Sequence, residues 1–253
     1  MPESRSDGCA VSPRRRLREH DPFRSSGRVA VNPCRYNRLA VLLYYISDRK
    51  GIAGAEPEQY AALLRCIAEA ARAGVDYIQL REKDLPADQL ERLARETVRV
   101  VRENSATTKL LINTCADIAI AVGADGVHLP AGSPVADEIR AAWIKSSNCE
   151  PLIGVSAHSV EDVRQTESDG ASFAVLAPIF EKFVTGAKGI GLNVLSQACS
   201  QSRMPVLALG GVSLANARAC LDVGAAGIAG IRLFQQGDVA ETVHQLLELA
   251  TLR

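Results

Sequence analysis

The chain has 253 residues, enough for one large α/β domain or two small ones. Its 29 basic residues balance 29 acidic ones, which argues against general affinity for nucleic acid. No apolar run approaches the roughly 18 residues that a membrane-spanning helix needs.

Residues 1–39 carry nine Arg, no Lys and four acidic residues, densest at Arg14-Arg15-Arg16. The segment contains no apolar stretch, so it does not read as a secretory signal. We expect an Arg-rich disordered tail; an over-extended start of the reading frame and a basic arm that meets a polyanion are the alternatives. From residue 40 to 253 the pattern is regular, with apolar runs of strand length alternating with amphipathic helical stretches. Strands are expected at 41–47, 76–80, 109–113, 126–129, 152–156, 172–177, 206–209 and 227–231. Helices are expected between them, for example at 57–73, 86–103, 159–168, 214–223 and 238–249. Leu90, Leu93, Ala94, Thr97, Val98 and Val101 form an i, i+3, i+4, i+7 stripe on the second. Eight strand–helix units in about 210 residues fit a single (β/α)8 barrel, with an open doubly wound sheet as the alternative. Gly74-Val75-Asp76, Gly123-Ala124-Asp125, Gly170-Ala171-Ser172 and Gly224-Ala225-Ala226 recur at every second unit. Each glycine falls where a helix end needs the left-handed conformation, so all four belong to the structural, N-terminal face. Seven cysteines without a CxxC pair suit reduced thiols in a cytoplasmic protein.

Chemistry is then expected at the C-terminal rim. The second strand runs from Gln79 into Arg81, Glu82 and Lys83, two cations around an anion, which suits an anionic substrate. The third ends at Asn113, Thr114 and Cys115, with Asp117 a turn later. The fourth ends at His128, which precedes an apolar Leu-Pro pair and reads as turned into the barrel. The fifth delivers Ser156 and His158, a histidine placed to transfer protons near neutral pH. The sixth leads into a loop with Lys182, Thr185, Gly186 and Lys188. Gly210 and Gly211 after the seventh strand, with Ser213 as helix cap, suit a phosphate. Gly230, Ile231 and Arg232 lie beside them after the eighth strand, and Arg232 can fork onto such a group.

Taken in order, Gln79 to Lys83, Ile112-Asn113, Gly123 to Leu129, Ile153 to Ser159 and Gly210 to Val212 resemble the thiamin phosphate synthase/TenI family. Tyr45 to Arg49 resembles its first strand, and the likeness covers roughly residues 40 to 250. The resemblance implies a (β/α)8 barrel, commonly dimeric, acting on small phosphorylated substrates. One branch joins a pyrimidine pyrophosphate to a thiazole phosphate; the TenI branch includes thiazole tautomerases. It implies pyrimidine–pyrophosphate contacts at Gln79 to Lys83, assisted by Asn113 and Ser156. It implies thiazole phosphate contacts at Gly211, Ile231 and Arg232, and a proton carrier at His158. The synthase pattern's two magnesium aspartates are replaced by Thr114 and Ser133, its strand-six loop is altered, and its strand-eight serine has become Arg232. Loss of both hard carboxylates removes the charge neutralisation that pyrophosphate departure needs. We therefore expect TenI-like proton transfer with His158 and Lys83 as catalytic groups and no metal. An authentic magnesium-dependent synthase and a catalytically silent phosphate-binding barrel are the alternatives.

Overall fold

The structure is a computed structural model that describes residues 41–133, 136–147, 149–181 and 188–251. The Arg-rich segment, and Lys182, Thr185 and Gly186, lie outside the described residues. Eight parallel strands close into a barrel in sequence order. They are β1 (Leu42–Ile46), β2 (Tyr77–Leu80), β3 (Lys109–Asn113), β4 (Gly126–Leu129), β5 (Leu152–Ala157), β6 (Phe173–Leu176), β7 (Val206–Ala208) and β8 (Gly227–Gly230). The helices are α1 (Glu56–Ala73), α2 (Ala87–Asn104), α3 (Ala116–Val122), α4 (Ala136–Ser147), α5 (Val160–Ser168), α6 (Leu192–Gln201), α7 (Leu214–Asp222), α8 (Arg232–Gln235) and α9 (Val239–Thr251). Pairing of Tyr44 with Ala229 between β1 and β8 closes the ring, which rules out the open sheet.

Strand alternation divides the core into two. Leu43, Tyr45, Leu110, Ile112, Ala174 and Leu176 face outward and pack under the helices. Leu42, Tyr44, Ile46, Leu111, Phe173, Val175, Leu207 and Ala229 face inward and fill the barrel. The inward aromatics form its plug. Tyr77 stacks on Phe173 with centroids 5.0 Å apart, and Tyr44 meets Phe173 edge-on at 5.4 Å. The amphipathic stripe of α2 is buried as its periodicity predicts, except that Val100 takes the buried place expected for Val98, which is half-buried.

The four Gly-containing repeats do lie at the N-terminal ends of even strands. Their glycines have φ of 93°, 70°, 78° and 105°. The third residue of three repeats stitches an even strand to the odd strand before it. Asp76 Oδ2 accepts the Leu43 N–H at 2.8 Å, Asp125 Oδ2 that of Leu110 at 2.9 Å, and Ser172 Oγ that of Ile153 at 3.0 Å. In the fourth repeat Ala226 has no such side chain, and its carbonyl takes the Leu42 N–H. The repeat thus satisfies strand N–H groups at the bottom of the barrel and leaves the top for function.

Candidate active site

The exit of β2 carries the charged triplet, and its three side chains diverge. Arg81 is half-buried, Glu82 is 5% exposed and Lys83 is exposed. The Glu82 carboxylate is occupied within the protein. Its Oε1 accepts the Ser47 hydroxyl at 2.6 Å, and both oxygens accept the Arg49 N–H at 3.1–3.2 Å. Ser47 Oγ in turn accepts the Arg81 N–H at 2.9 Å. Burial pushes the Glu82 carboxyl up, against the pull of Ser47 and Arg49. Arg49, itself 1% exposed, is paired to Asp84 at 2.6 Å and lies 4.6 Å over the Tyr60 ring. Glu82, expected at the substrate, is thus turned onto Ser47 and Arg49. Strand alternation turns it back onto the β1 exit, where it fixes the loop that presents Arg81 and Lys83.

Inside the rim a polar line crosses the barrel. Gln79 Nε2 donates to the Tyr44 hydroxyl at 3.0 Å, the Tyr44 hydroxyl lies 3.1 Å from His128 Nδ1, and His128 Nε2 lies 3.0 Å from Ser156 Oγ. His128 is 5% exposed, and burial, with the Arg81 charge adding to it, pushes its imidazole down to about 3. It is neutral at physiological pH. Room for the ring comes from Gly154, where a Cβ would collide with the Phe173 ring and sit 2.9 Å from His128 Nδ1. Tyr44 is a participant that the sequence reading missed. Its place three residues into β1, on the inward alternation, was the available signal.

At the end of β5, His158 is exposed, and its Nδ1 lies 2.8 Å from the Ala177 carbonyl. A carbonyl only accepts, so Nδ1 is the donor, and in the neutral ring the lone pair is then on Nε2. Asp162 accepts the His158 N–H at 2.8 Å, while Ser159 Oγ accepts the Asp162 N–H and caps α5.

At the exits of β7 and β8, Gly210 and Gly211 have φ of 92° and 67°. A Cβ on Gly211 would sit 2.7 Å from Phe180 Cβ and 2.9 Å from the Glu181 carbonyl. The Gly210 carbonyl accepts the Phe180 N–H, and that of Gly211 accepts Asn216 Nδ2 at 3.0 Å. In planar trans peptides the Gly211 and Val212 N–H groups then point away from those partners. Ser213 is the N-cap of α7, its N–H held by Asn216 Oδ1 at 2.8 Å. The strand-eight expectation is corrected in detail: β8 ends at Gly230, Ile231 caps α8, and the exposed Arg232 opens that short helix. Gln235 holds α8 to the β1 exit, exchanging two 2.9 Å hydrogen bonds with the Asp48 backbone. Lys188, at the edge of the strand-six loop, is exposed.

Asn113 Nδ2 donates to Thr114 Oγ1 at 3.3 Å, and Thr114 has φ of 60°, left-handed for a β-branched residue. Thr114 and the half-buried Ser133 offer hydroxyls where magnesium calls for carboxylates, and Asp117 is exposed on α3. Among the described residues no three His, Cys, Asp or Glu side chains are grouped to hold a metal. At positions 114 and 133 the donors are hydroxyls, not the hard carboxylates that magnesium favours.

The structure is a single (β/α)8 barrel with Arg81, Lys83, His158, Gly211 and Arg232 at the C-terminal ends of its strands. Residues 43–234 match the family described as thiamine monophosphate synthase, and the chain belongs to that family. It is 39% identical over 194 residues to a putative thiamine-phosphate synthase 2 of Aquifex aeolicus, covering 76% of this chain and 96% of the relative. It is 35% identical over 199 residues to the thiamine-phosphate synthase of Moorella thermoacetica, covering 74% and 88%. The solved thiamine phosphate pyrophosphorylase of Pyrococcus furiosus superposes with a TM-score of 0.68 at 27% identity, over 84% of this chain and 96% of that one. The family assignment makes the chain an enzyme of thiamine biosynthesis. No helix among the described residues is long and apolar enough to cross a membrane.

Proposed function

We propose that this barrel binds a thiazole-type phosphate and moves a proton on it, in the manner of the TenI branch, without a metal. The Gly210-Gly211 turn, through the N–H groups of Gly211 and Val212, with Gly230, Ile231 and Arg232, receives the phosphate. Arg81, Lys83 and Lys188 hold anionic groups, and Gln79, Asn113 and Ser156 line the remaining space. His158 Nε2 takes a proton from one end of the conjugated thiazole system and returns it at the other, so the bond order shifts and no group leaves. Lys83 steadies the charge that accumulates between the two transfers. Glu82 acts behind them as a positioning residue. The reading extends to a cytoplasmic homodimer.

The observation that supports this most is the His158 tautomer. Anchoring Nδ1–H on the Ala177 carbonyl leaves the basic nitrogen on the other side of the ring. The hydroxyls of Thr114 and Ser133 support it further, since pyrophosphate departure is poorly served by them. A second reading, synthesis of thiamine phosphate from a pyrimidine pyrophosphate and the thiazole phosphate, is favoured by the names of the relatives.

Purified protein is to be incubated with thiazole carboxylate phosphate in deuterated water, with exchange and isomerisation followed by NMR. We expect turnover that chelator leaves unchanged and that falls at least a hundredfold in His158→Gln. Thiamine phosphate formed from the two synthase substrates at comparable rate, and abolished by chelator, would replace this reading with the synthase. Ligand-raised melting temperature without either reaction would leave a binding barrel.

A further inference from the structure

We propose that Tyr44 and His128 are positioning residues, forming a hydrogen-bonded line of fixed polarity that makes the Ser156 hydroxyl a donor toward bound ligand. Its consequence for the reaction rests on the reading above; its polarity does not.

The line has four members on four strands. Gln79 on β2 is 1% exposed and Tyr44 on β1 is fully buried, so neither hydroxyl nor amide exchanges its partner for water. The Gln79 amide nitrogen faces Tyr44 Oη, which therefore accepts. The phenol proton is left for His128 Nδ1, 3.1 Å away. This direction is also the chemically favoured one, because a phenol is a far stronger acid than the N–H of a neutral imidazole. A neutral imidazole has one proton, so with Nδ1 accepting it must sit on Nε2. Nε2–H then donates to Ser156 Oγ at 3.0 Å. The Ser156 oxygen is engaged as an acceptor, and its own hydrogen is turned elsewhere. Ser156 is half-buried on β5 and lies two residues before His158, which follows the strand. Reversal of the Tyr44 dipole would reverse every bond, and Ser156 would become an acceptor from the ligand. Discrimination between acceptor and donor atoms on a substrate is thus set at Tyr44, below the rim, and carried by an imidazole that holds its protonation state.

The tautomer can be read directly. Long-range proton–nitrogen NMR spectra of the full chain with labelled histidine, assigned by elimination using variants of the other three histidines, should show His128 protonated at Nε2. His158 should show the opposite tautomer, as an internal reference. In Tyr44→Phe the His128 preference should be lost. Calorimetric affinity for thiazole phosphate should fall about tenfold in Tyr44→Phe and in Ser156→Ala, the size of one hydrogen bond, and no further in the double variant. Gly154→Ala, whose Cβ presses on both the Phe173 ring and His128 Nδ1, should give at least the same loss. An Nδ1-protonated His128 in the wild type overturns the polarity, whatever the enzyme catalyses. Additive losses, or an unchanged affinity in folded Tyr44→Phe and Gly154→Ala, overturn the positioning role. Absence of proton transfer alongside the expected tautomer and coupling overturns only the catalytic reading.

Discussion

Substitution of Glu82 separates a structural carboxylate from a ligand-binding one. Glu82→Ala removes the acceptor of the Ser47 hydroxyl and of the Arg49 N–H, and the two residues are 0% and 1% exposed. Each buried donor left without a partner costs about 1–3 kcal/mol. Arg49 keeps Asp84 at 2.6 Å and Glu56 at 3.3 Å, so its charge is not stranded. Two such donors give an expected loss of about 2–6 kcal/mol. Glu82→Gln keeps one acceptor oxygen and should lose roughly 1–2 kcal/mol. Urea unfolding measures both. Pyrophosphate affinity, measured where each variant is still folded, should fall less in Glu82→Gln than in Arg81→Ala. Full stability in Glu82→Ala together with a large loss of affinity would falsify the positioning role and return Glu82 to the ligand set.

Three further outcomes follow from the structure. The pKa of His128 is lowered in the folded state, from 6.5 to about 3, so the unfolded chain binds its proton first as pH falls. The contribution is intact above about pH 6.5 and is lost toward pH 3, amounting to about 2 kcal/mol at pH 5. The difference in unfolding free energy between wild type and His128→Gln should narrow by that amount between pH 7.5 and 5; parallel curves would contradict it. Thr114→Asn relieves a left-handed β-branched residue and should raise the melting midpoint by about 2–4 °C, whereas a fall would mean that the φ of 60° carries no strain. Asp76→Ala leaves the Leu43 N–H unpaired on the structural face and should cost about 1–3 kcal/mol while kcat per folded molecule is unchanged; altered kcat would tie the two faces of the barrel together.

Much of this protein was legible in the linear chain because its signals are local. Strand-length apolar runs and the αL glycines of the repeat depend on neighbours within a few residues, and from them the barrel, its two faces and the rim residues could be placed. The family resemblance in motif order carried the expected substrate. The direction in which a rim side chain turns is a different matter. Arg81, Glu82 and Lys83 are three adjacent charges in the sequence, and nothing local says that the middle one is buried against Ser47 and Arg49, more than thirty residues earlier. Tyr44 and His128 are 84 positions apart, and only closure of the eight strands around a shared interior puts a phenol against an imidazole. The tautomer of His158 was likewise decided by the carbonyl of Ala177, supplied from the next strand. Periodicity determines which face a residue occupies, because it is a property of one strand. What that residue touches, and so whether it binds, positions or donates a proton, depends on the partners that other strands bring, and only the folded barrel decides them.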